Sequence, residues 1–178
     1  MAIGALAGGM LLAGCSGSGD DTGAGDGSTG AGTGAGPLTI GTMTTPASLD
    51  PQDAGGAAMP FFQAVYDTLV LREPDGTFSP MLATGWTWDD TRTRLTLELA
   101  EGVEFTDGEA FDAEAVRANV EHFRDGTGQS ATQAEQITDV EIAGDHEVVL
   151  VLDEPDPALE WSLSDGPGVM ASPAAIAR

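Results

Sequence analysis

Apolar and polar residues alternate along two neighbouring stretches in the middle of the chain. Every second residue is leucine in Leu95–Leu99, and the two tryptophans of Trp86–Trp88 flank a threonine. A period of two places such residues on one face of a β-strand. The pattern therefore predicts a half-buried antiparallel meander. We expect Val103 and Phe105 to extend it as far as a turn at Thr106–Gly108.

A helical period follows this meander. Within Ala113–Arg124, the apolar residues Val116, Val120 and Phe123 recur at the spacing of one helix face. Asp112 immediately precedes them, and aspartate is a favoured N-cap because its carboxylate accepts hydrogen bonds from the first free backbone amides. The sequence thus predicts a helix over Ala113–Arg124, ended by the glycine that follows soon after.

The rest of the ordered chain is expected to form short elements. Ile137–Ile142 and His146–Leu152 predict two strands joined by a turn at Gly144–Asp145. From Thr42 to Pro60 no regular period is present, and long connections of this kind tend to be functional. The other predictions are strands at Leu38–Ile40, Leu69–Leu71 and Val169–Met170, a helix from Phe61 to Leu69 with Pro60 in its first turn, a helical or coil piece at Pro80–Thr84, a helix at Ala158–Leu163 and a helix capped by Ser172.

The chain begins with an uncharged apolar segment. Met1–Ala13 is shorter than the roughly 20 residues of a membrane-spanning helix but has the length of a signal-peptide apolar region. It leads into Leu-Ala-Gly-Cys, which resembles the lipobox of bacterial lipoproteins. The resemblance implies that residues 1–15 are a lipoprotein signal and that Cys15 becomes a lipidated first residue. No Lys or Arg precedes the segment, unlike the usual export signal, and a small buried cysteine is the alternative reading.

A glycine-rich tract separates the cysteine from the apolar periodic sequence. Residues 16–36 contain nine glycines and no large apolar side chain. Such a segment cannot offset the entropy lost on ordering, so it is predicted to be a flexible tether. Its glycines follow no strand and its aspartates lack the spacing of a calcium loop, so the tract predicts neither a phosphate site nor a metal site.

The net charge excludes some partners. The 178 residues include 29 Asp and Glu but only 6 Lys and Arg, for a formal charge of −23. Such a chain is repelled by nucleic acid and by anionic membrane surfaces. A single cysteine also rules out an internal disulfide and a cysteine-cluster metal site.

No arrangement of residues signals catalysis. His122 and His146 stand far apart without other imidazoles or thiols nearby, which is typical of hydrated or core-edge histidines. Asp107 and Asp112 sit at a turn and a helix start, where carboxylates serve backbone amides. The two tryptophans of the meander either pack on its leucines or form a ligand platform. We expect no catalytic residue, no metal site and no cofactor.

Five stretches in order resemble one protein family. They are LTIGTMTTPASLDP (38–51), VYDTLVLREPDG (65–76), SPMLATGWTW (79–88), LTLELAEGVEFTDGEAFDAEAVRANVEHFRD (95–125) and SPAA (172–175). Together they are similar to the N-terminal part of family 5 extracellular solute-binding proteins, the oligopeptide, dipeptide and nickel class of bacterial ABC importers. The resemblance implies an α/β, type II periplasmic-binding-protein architecture, present incompletely. Residues 37–178 would supply part of the first lobe and the family's extra mixed α+β domain, truncated before the second lobe.

The resemblance also implies a function and a site. The expected function is a non-enzymatic lipoprotein on the outer face of the cell membrane that captures a small solute, most simply a peptide, and delivers it to ABC permease subunits. The connection along the cleft maps onto Ala54, Gly55, Gly56, Ala57 and Ala58, whose small side chains let backbone groups approach a ligand. A mere surface loop is the competing reading. The other functions left open are a secreted hydrolase or carbohydrate-active lipoprotein and a structural surface protein.

Overall fold

The computed structural model describes residues 39–42, 44–128 and 131–177. Its α-helices and strands are, in chain order, α1 (Met59–Phe62), β1 (Val70–Arg72), β2 (Phe78–Pro80), β3 (Ala83–Trp88), β4 (Arg94–Leu99), α2 (Ala113–Arg124), β5 (Ile137–Gly144), β6 (Glu147–Leu152), α3 (Leu159–Leu163) and α4 (Pro173–Ile176). Short 3-10 turns lie at Pro51–Asp53, Gly56–Ala58, Ala131–Gln133 and Gly166–Gly168. The lipobox, Cys15 and the tether fall outside the described residues.

Four of the strands form one antiparallel sheet in the spatial order β3, β4, β6, β5. Leu97 pairs with Trp86 on one side and with Val148 on the other. One face is apolar and buried, whereas the other carries an ion pair between Arg94 and Glu141. The predicted half-buried antiparallel sheet is therefore confirmed. The strand order is not that of a simple meander. The chain leaves the sheet after β4 to form α2, and β6 rather than β5 then pairs with β4.

Helix α2 begins and ends as predicted. The Asp112 side chain accepts a hydrogen bond from the Ala115 amide over 2.9 Å, which is the expected N-cap contact. Val116, Val120 and Phe123 are buried on the sheet side of the helix. Burial of each such side chain contributes roughly 1.5–3 kcal/mol, so the apolar stripe fixes this helix on the sheet.

A buried asparagine ties α2 to the end of the chain. Asn119 Nδ2 donates to the carbonyl oxygens of Ala115 and Ala171, both over 2.8 Å, and Asn119 Oδ1 accepts from the Ala171 amide over 2.9 Å. The Asn119 side chain thus bonds both backbone groups of Ala171, as a neighbouring strand would, just before the chain enters α4. The spacing of apolar residues along the helix does not reveal this role, because an asparagine in the sequence predicts an exposed polar position.

The two tryptophans of β3 pack rather than form an open platform. Trp86 and Trp88 are half-buried against the leucines of the core. Trp88 Nε1 also donates to Glu160 Oε1 of α3 over 2.8 Å. The indole N–H thus has a partner at the edge of the core, as buried tryptophans usually require.

The predicted helix from Phe61 to Leu69 is wrong after Phe62. The amides of Val65 and Tyr66 both donate to the Phe62 carbonyl, which closes the helix, and the Leu69 amide pairs with Gly168. Phe62 and Leu69 share a helical spacing, but they are buried in two different apolar clusters rather than on one face of a helix. Contacts with residues distant in sequence therefore determine where this helix ends.

Other boundaries also differ from the predictions. β2 covers Pro80, where a helical or coil piece was expected, because a two-stranded sheet leaves proline an edge position. Val103 and Phe105 lie in a loop that packs on the core, with a single bridge between Glu104 and Ala110. The turn after β5 falls at residues 145–146, one residue later than predicted.

The terminal strands and the serine cap are also revised. Residues 39–40 belong to no strand, and Leu38 lies outside the described residues. Val169 forms only a single bridge, with Thr68. Ser172 precedes α4 as predicted, but its hydroxyl makes no cap bond; the Ser172 carbonyl accepts from the amides of Ala175 and Ile176 instead.

Candidate functional site

The predicted ligand-binding residues follow a tight acidic turn, which we call the Asp50 turn (residues 48–53). Asp50 Oδ1 accepts from the Gln52 amide over 3.0 Å and thereby caps the 3-10 turn at Pro51–Asp53. The Ser48 hydroxyl donates to Asp53 Oδ2 over 2.6 Å and accepts from the Asp50 amide over 3.0 Å. These bonds are local, so they fix the shape of the turn.

The five predicted ligand residues, which we call the candidate loop (residues 54–58), differ in their exposure. Ala54 is 1% exposed and packs with Met59, Phe62 and Val169, so its methyl group serves the fold. Gly56 and Ala57 are exposed, and the two flanking residues are half-buried. The loop therefore presents backbone and one methyl group to solvent.

The shape of the candidate loop depends on its glycines. Gly55 has φ of 140° and Gly56 has φ of 53°, both in the region that side chains disfavour. The chain then enters the 3-10 turn at Gly56–Ala58 and continues into α1. Neither glycine is replaceable without strain in the backbone of this loop.

The Asp50 turn is anchored to α2 by a histidine. His122 Nε2 lies 2.8 Å from Asp50 Oδ1, and Gln52 Nε2 lies 3.3 Å from His122 Nδ1 and 3.1 Å from Nε2. A proton on Nε2 lets the ring donate to the Asp50 carboxylate, and the Gln52 amide lies against the same ring. Tyr66 adds a bond from its hydroxyl to the Leu49 carbonyl over 2.9 Å.

These contacts shift the acidity of two groups. Burial raises the pKa of Asp50, but the Gln52 amide, the His122 hydrogen bond and the His122 charge outweigh it and lower that pKa below its ordinary value. Burial and the neighbouring Asp50 charge raise the pKa of Tyr66. Asp50 is therefore held as a carboxylate, the form that accepts the hydrogen bonds of the turn.

Glycines on the facing segments leave room for the turn. A Cβ on Gly128 would lie 1.9 Å from the Gln52 carbonyl oxygen, and a Cβ on Gly126 would lie 2.5 Å from the Gln52 side chain. A Cβ on Gly166 would lie 2.8 Å from the Ala54 carbonyl oxygen. Side chains at Gly126 and Gly128 would push the turn away from the end of α2, and a side chain at Gly166 would press on both the candidate loop and Phe123.

Two surface cavities lie elsewhere on the described residues. One of about 440 Å³ is lined by Val65–Asp67, Leu82, 103–107, Phe111, 170–172 and Ala175. Another of about 450 Å³ is mostly apolar and is lined by Ile40, Thr42, Thr45, Leu49, Pro60, Phe61, Ala64 and Val65. The candidate loop contributes to neither of these two cavities.

The described residues offer no built metal site. No three His, Cys, Asp or Glu side chains among residues 39–42, 44–128 and 131–177 are grouped as metal ligands would be. Of the two histidines, His122 serves as the anchor above, a contact across 70 positions that the sequence pattern did not reveal. The described helices also include none that is long and apolar enough to cross a membrane.

A protein-family comparison decides the classification. The family model described as bacterial extracellular solute-binding proteins, family 5 Middle, matches residues 77–177, from the strand-rich part of the fold through α4. This chain belongs to that solute-binding family. The resemblance inferred from five short stretches is confirmed.

Two individual proteins are similar to about half of the chain. The chain is 36% identical over 90 residues to the nickel-binding periplasmic protein of Escherichia coli (strain K12), covering 49% of this chain and 17% of that protein. It is 34% identical over 85 residues to the glutathione-binding protein GsiB of Salmonella paratyphi A, covering 47% of this chain and 16% of that protein. The chain thus spans about a sixth of the length of these relatives.

A solved structure shows the architecture. NikA from Brucella suis, crystallised with Fe(III)-EDTA, superposes with a TM-score of 0.65 at 30% identity over 73% of this chain and 27% of that one. The fold is accordingly part of the type II periplasmic-binding-protein architecture, as expected. Homologues are periplasmic, which supports a place outside the cytoplasm.

Proposed function

We propose that this chain is the N-terminal part of a binding protein that captures a small solute for an ABC importer. The family match over residues 77–177 carries this proposal. Family members are solute-binding proteins rather than enzymes, and we infer the same non-enzymatic role here. Delivery to permease subunits is part of the proposal, because a binding protein of this class serves a transporter.

In this proposal the candidate loop forms one wall of the solute cleft. Gly56 and Ala57 are exposed and carry no side chain beyond a methyl group, so backbone groups can approach a ligand closely. Such a wall has no charge with which to select a solute. Selectivity would therefore come from a second lobe closing over the first, as hinge-bending receptors do.

We further propose that Cys15 carries the lipid that ties the protein to the outer face of the membrane. Two acyl chains suit stable anchoring, since each buried methylene contributes about 0.8 kcal/mol. The glycine-rich residues 16–36 would then serve as the tether. Intact-mass analysis of the membrane fraction should find a diacylglycerol adduct on the N-terminal cysteine, and Cys15→Ser should release the protein into the soluble fraction.

Ligand binding is tested by thermal shift. The intact gene product should melt at a higher temperature with one probe among dipeptides, glutathione, Ni²⁺ and Fe(III)-EDTA, because a ligand bound by the native state stabilises it. Ala57→Phe places a large side chain on the exposed loop and should remove that shift. Ala143→Phe, at an exposed position on β5, is the matched control and should retain it.

Two results would contradict this proposal. No shift with any probe, combined with turnover of an ester, peptide or glycoside substrate, would replace the receptor by the secreted hydrolase. Equal loss of the shift in Ala57→Phe and in the control would show that the loop has no special part in binding.

A further inference from the structure

We propose that His122 is a positioning residue that sets the candidate loop in place from α2. The inference rests on the proposed function only in calling this loop a ligand wall. Its physical content concerns the Asp50 turn, which leads directly into the loop. That content is testable on the unliganded protein.

The local bonds of the Asp50 turn do not determine where the turn lies. The bonds of Ser48 to Asp53 and of Asp50 to Gln52 join residues at most five positions apart. The Tyr66 contact comes from the segment just after α1, which is itself irregular. His122, by contrast, belongs to a twelve-residue helix fixed on the sheet by buried side chains. Its ring therefore transmits the position of a rigid element to the turn.

The imidazole fits this role because it meets two partners at once. Its Nε2–H reaches the Asp50 carboxylate at 2.8 Å, while Gln52 approaches the same ring with its amide. The side chain of His122 is 20% exposed, so these bonds are partly shielded from water. Glutamine at this position could also offer a donor to Asp50 and an acceptor to Gln52, whereas alanine offers neither.

The facing glycines provide an independent way to displace the same turn. Gly128 allows the Gln52 carbonyl to lie where a Cβ would otherwise be 1.9 Å away. Gly128→Ala should therefore wedge the turn away from the end of α2 without touching His122. Gly144→Ala is a matched control, since its Cβ would meet nothing closer than 3.9 Å.

Amide hydrogen exchange measures how easily the turn opens when its anchor to α2 is removed. The Asp53 amide donates to Asp50, the Ala54 amide to Pro51, each over 2.9 Å, and both should be protected. In His122→Ala their exchange should rise about tenfold or more, as expected when a local opening becomes easier, while β4 and β6 keep their wild-type rates. Gly128→Ala should produce the same local pattern.

The controls separate positioning from a general structural role. His122→Gln should restore protection to within about threefold of wild type, because it keeps a donor and an acceptor. Arg117→Ala removes an exposed side chain of the same helix that pairs with Glu114, and Gly144→Ala adds a harmless methyl group; neither should change exchange at the turn. Unchanged protection in His122→Ala, or an equal rise in β4 and β6, would overturn the proposal.

A binding measurement completes the test and keeps two failures apart. With any probe that stabilises the wild type, His122→Ala should raise Kd about tenfold and His122→Gln should largely recover it, because a loop that is no longer preorganised must be ordered on binding. If no probe binds the wild type, the proposed function fails. The exchange result still decides whether His122 positions the loop, and an unchanged Kd in His122→Ala would contradict the link to the ligand wall.

Discussion

The sheet with α2 and the segment from Ser48 to Tyr66 hold their shapes by different means. Leu97, Val120 and Leu150 are fully buried in the first region, and its backbone groups pair in regular ladders. The second region contains a single four-residue helix and buries only a small separate cluster with Ala54, Met59 and Phe62, while side chains of its turn bond to the backbone. Two of its large apolar side chains, Leu49 and Val65, remain exposed.

The difference shows which part is fixed and which part is adjustable. Apolar burial is strong and insensitive to direction, so the sheet and α2 provide a rigid frame. Polar bonds are individually modest and depend on geometry, so the Asp50 turn opens more easily than the sheet. In the proposed function, a candidate loop mounted in this way can adapt locally while the sheet and α2 keep their place.

The largest loss of stability should come from a change in the rigid frame formed by the sheet and α2. Leu97→Ala removes a fully buried side chain from the central strand β4, and we expect a loss of about 2–5 kcal/mol in the free energy of unfolding. Urea unfolding followed by tryptophan fluorescence measures it. Thr87→Ala, at an exposed position of β3, is the control and should change the value by less than about 0.5 kcal/mol. Equal effects of the two variants would contradict the burial account.

The second largest loss of stability should come from Asn119, which bonds α2 to the backbone near the end of the chain. Asn119→Leu leaves the Ala171 amide and carbonyl without their partner, and an unsatisfied buried backbone group costs about 1–3 kcal/mol. Urea unfolding should show a loss in this range, and hydrogen exchange should increase at Ala171. A fully stable variant with unchanged exchange would mean that packing alone holds this segment.

The helix cap should have a smaller effect. Asp112→Ala removes the acceptor for the Ala115 amide and should destabilise the protein by about 1 kcal/mol. Asp112→Ser should recover most of this loss, because serine is also a good N-cap. Thermal unfolding distinguishes the three proteins, and failure of serine to recover stability would indicate that the carboxylate charge matters more than the hydrogen bond.

The smallest global effect, confined to the adjustable region, is a dependence on pH. The folded protein lowers the pKa of Asp50, so the turn's stabilisation is complete above the ordinary aspartate pKa of about 4 and is lost as pH falls through the lower folded pKa. Exchange at Asp53 and Ala54, corrected for intrinsic rates, should rise in that acidic range. Asp50→Asn should lack this step, and a wild-type turn that stays protected throughout would contradict it.

The same division explains what could be predicted from the sequence. β4 and α2 follow from alternation in Leu95–Leu99, from the stripe on Ala113–Arg124 and from the Asp112 cap, all of which are local. The bond between His122 and Asp50 joins residues 72 positions apart and has no periodic signal. Phe62 and Leu69 share a helical spacing but belong to separate clusters, so the end of α1 depended on tertiary structure.

The central claim is that solute lies against the candidate loop, and amide chemical shifts test it most directly. We predict that titration with the probe that raises the melting temperature will shift the amide signals of Gly55, Gly56 and Ala57 in the wild type, with smaller changes along β4 and β6. Saturable shifts confined to the residues lining either cavity, with the loop signals unmoved, would contradict the account.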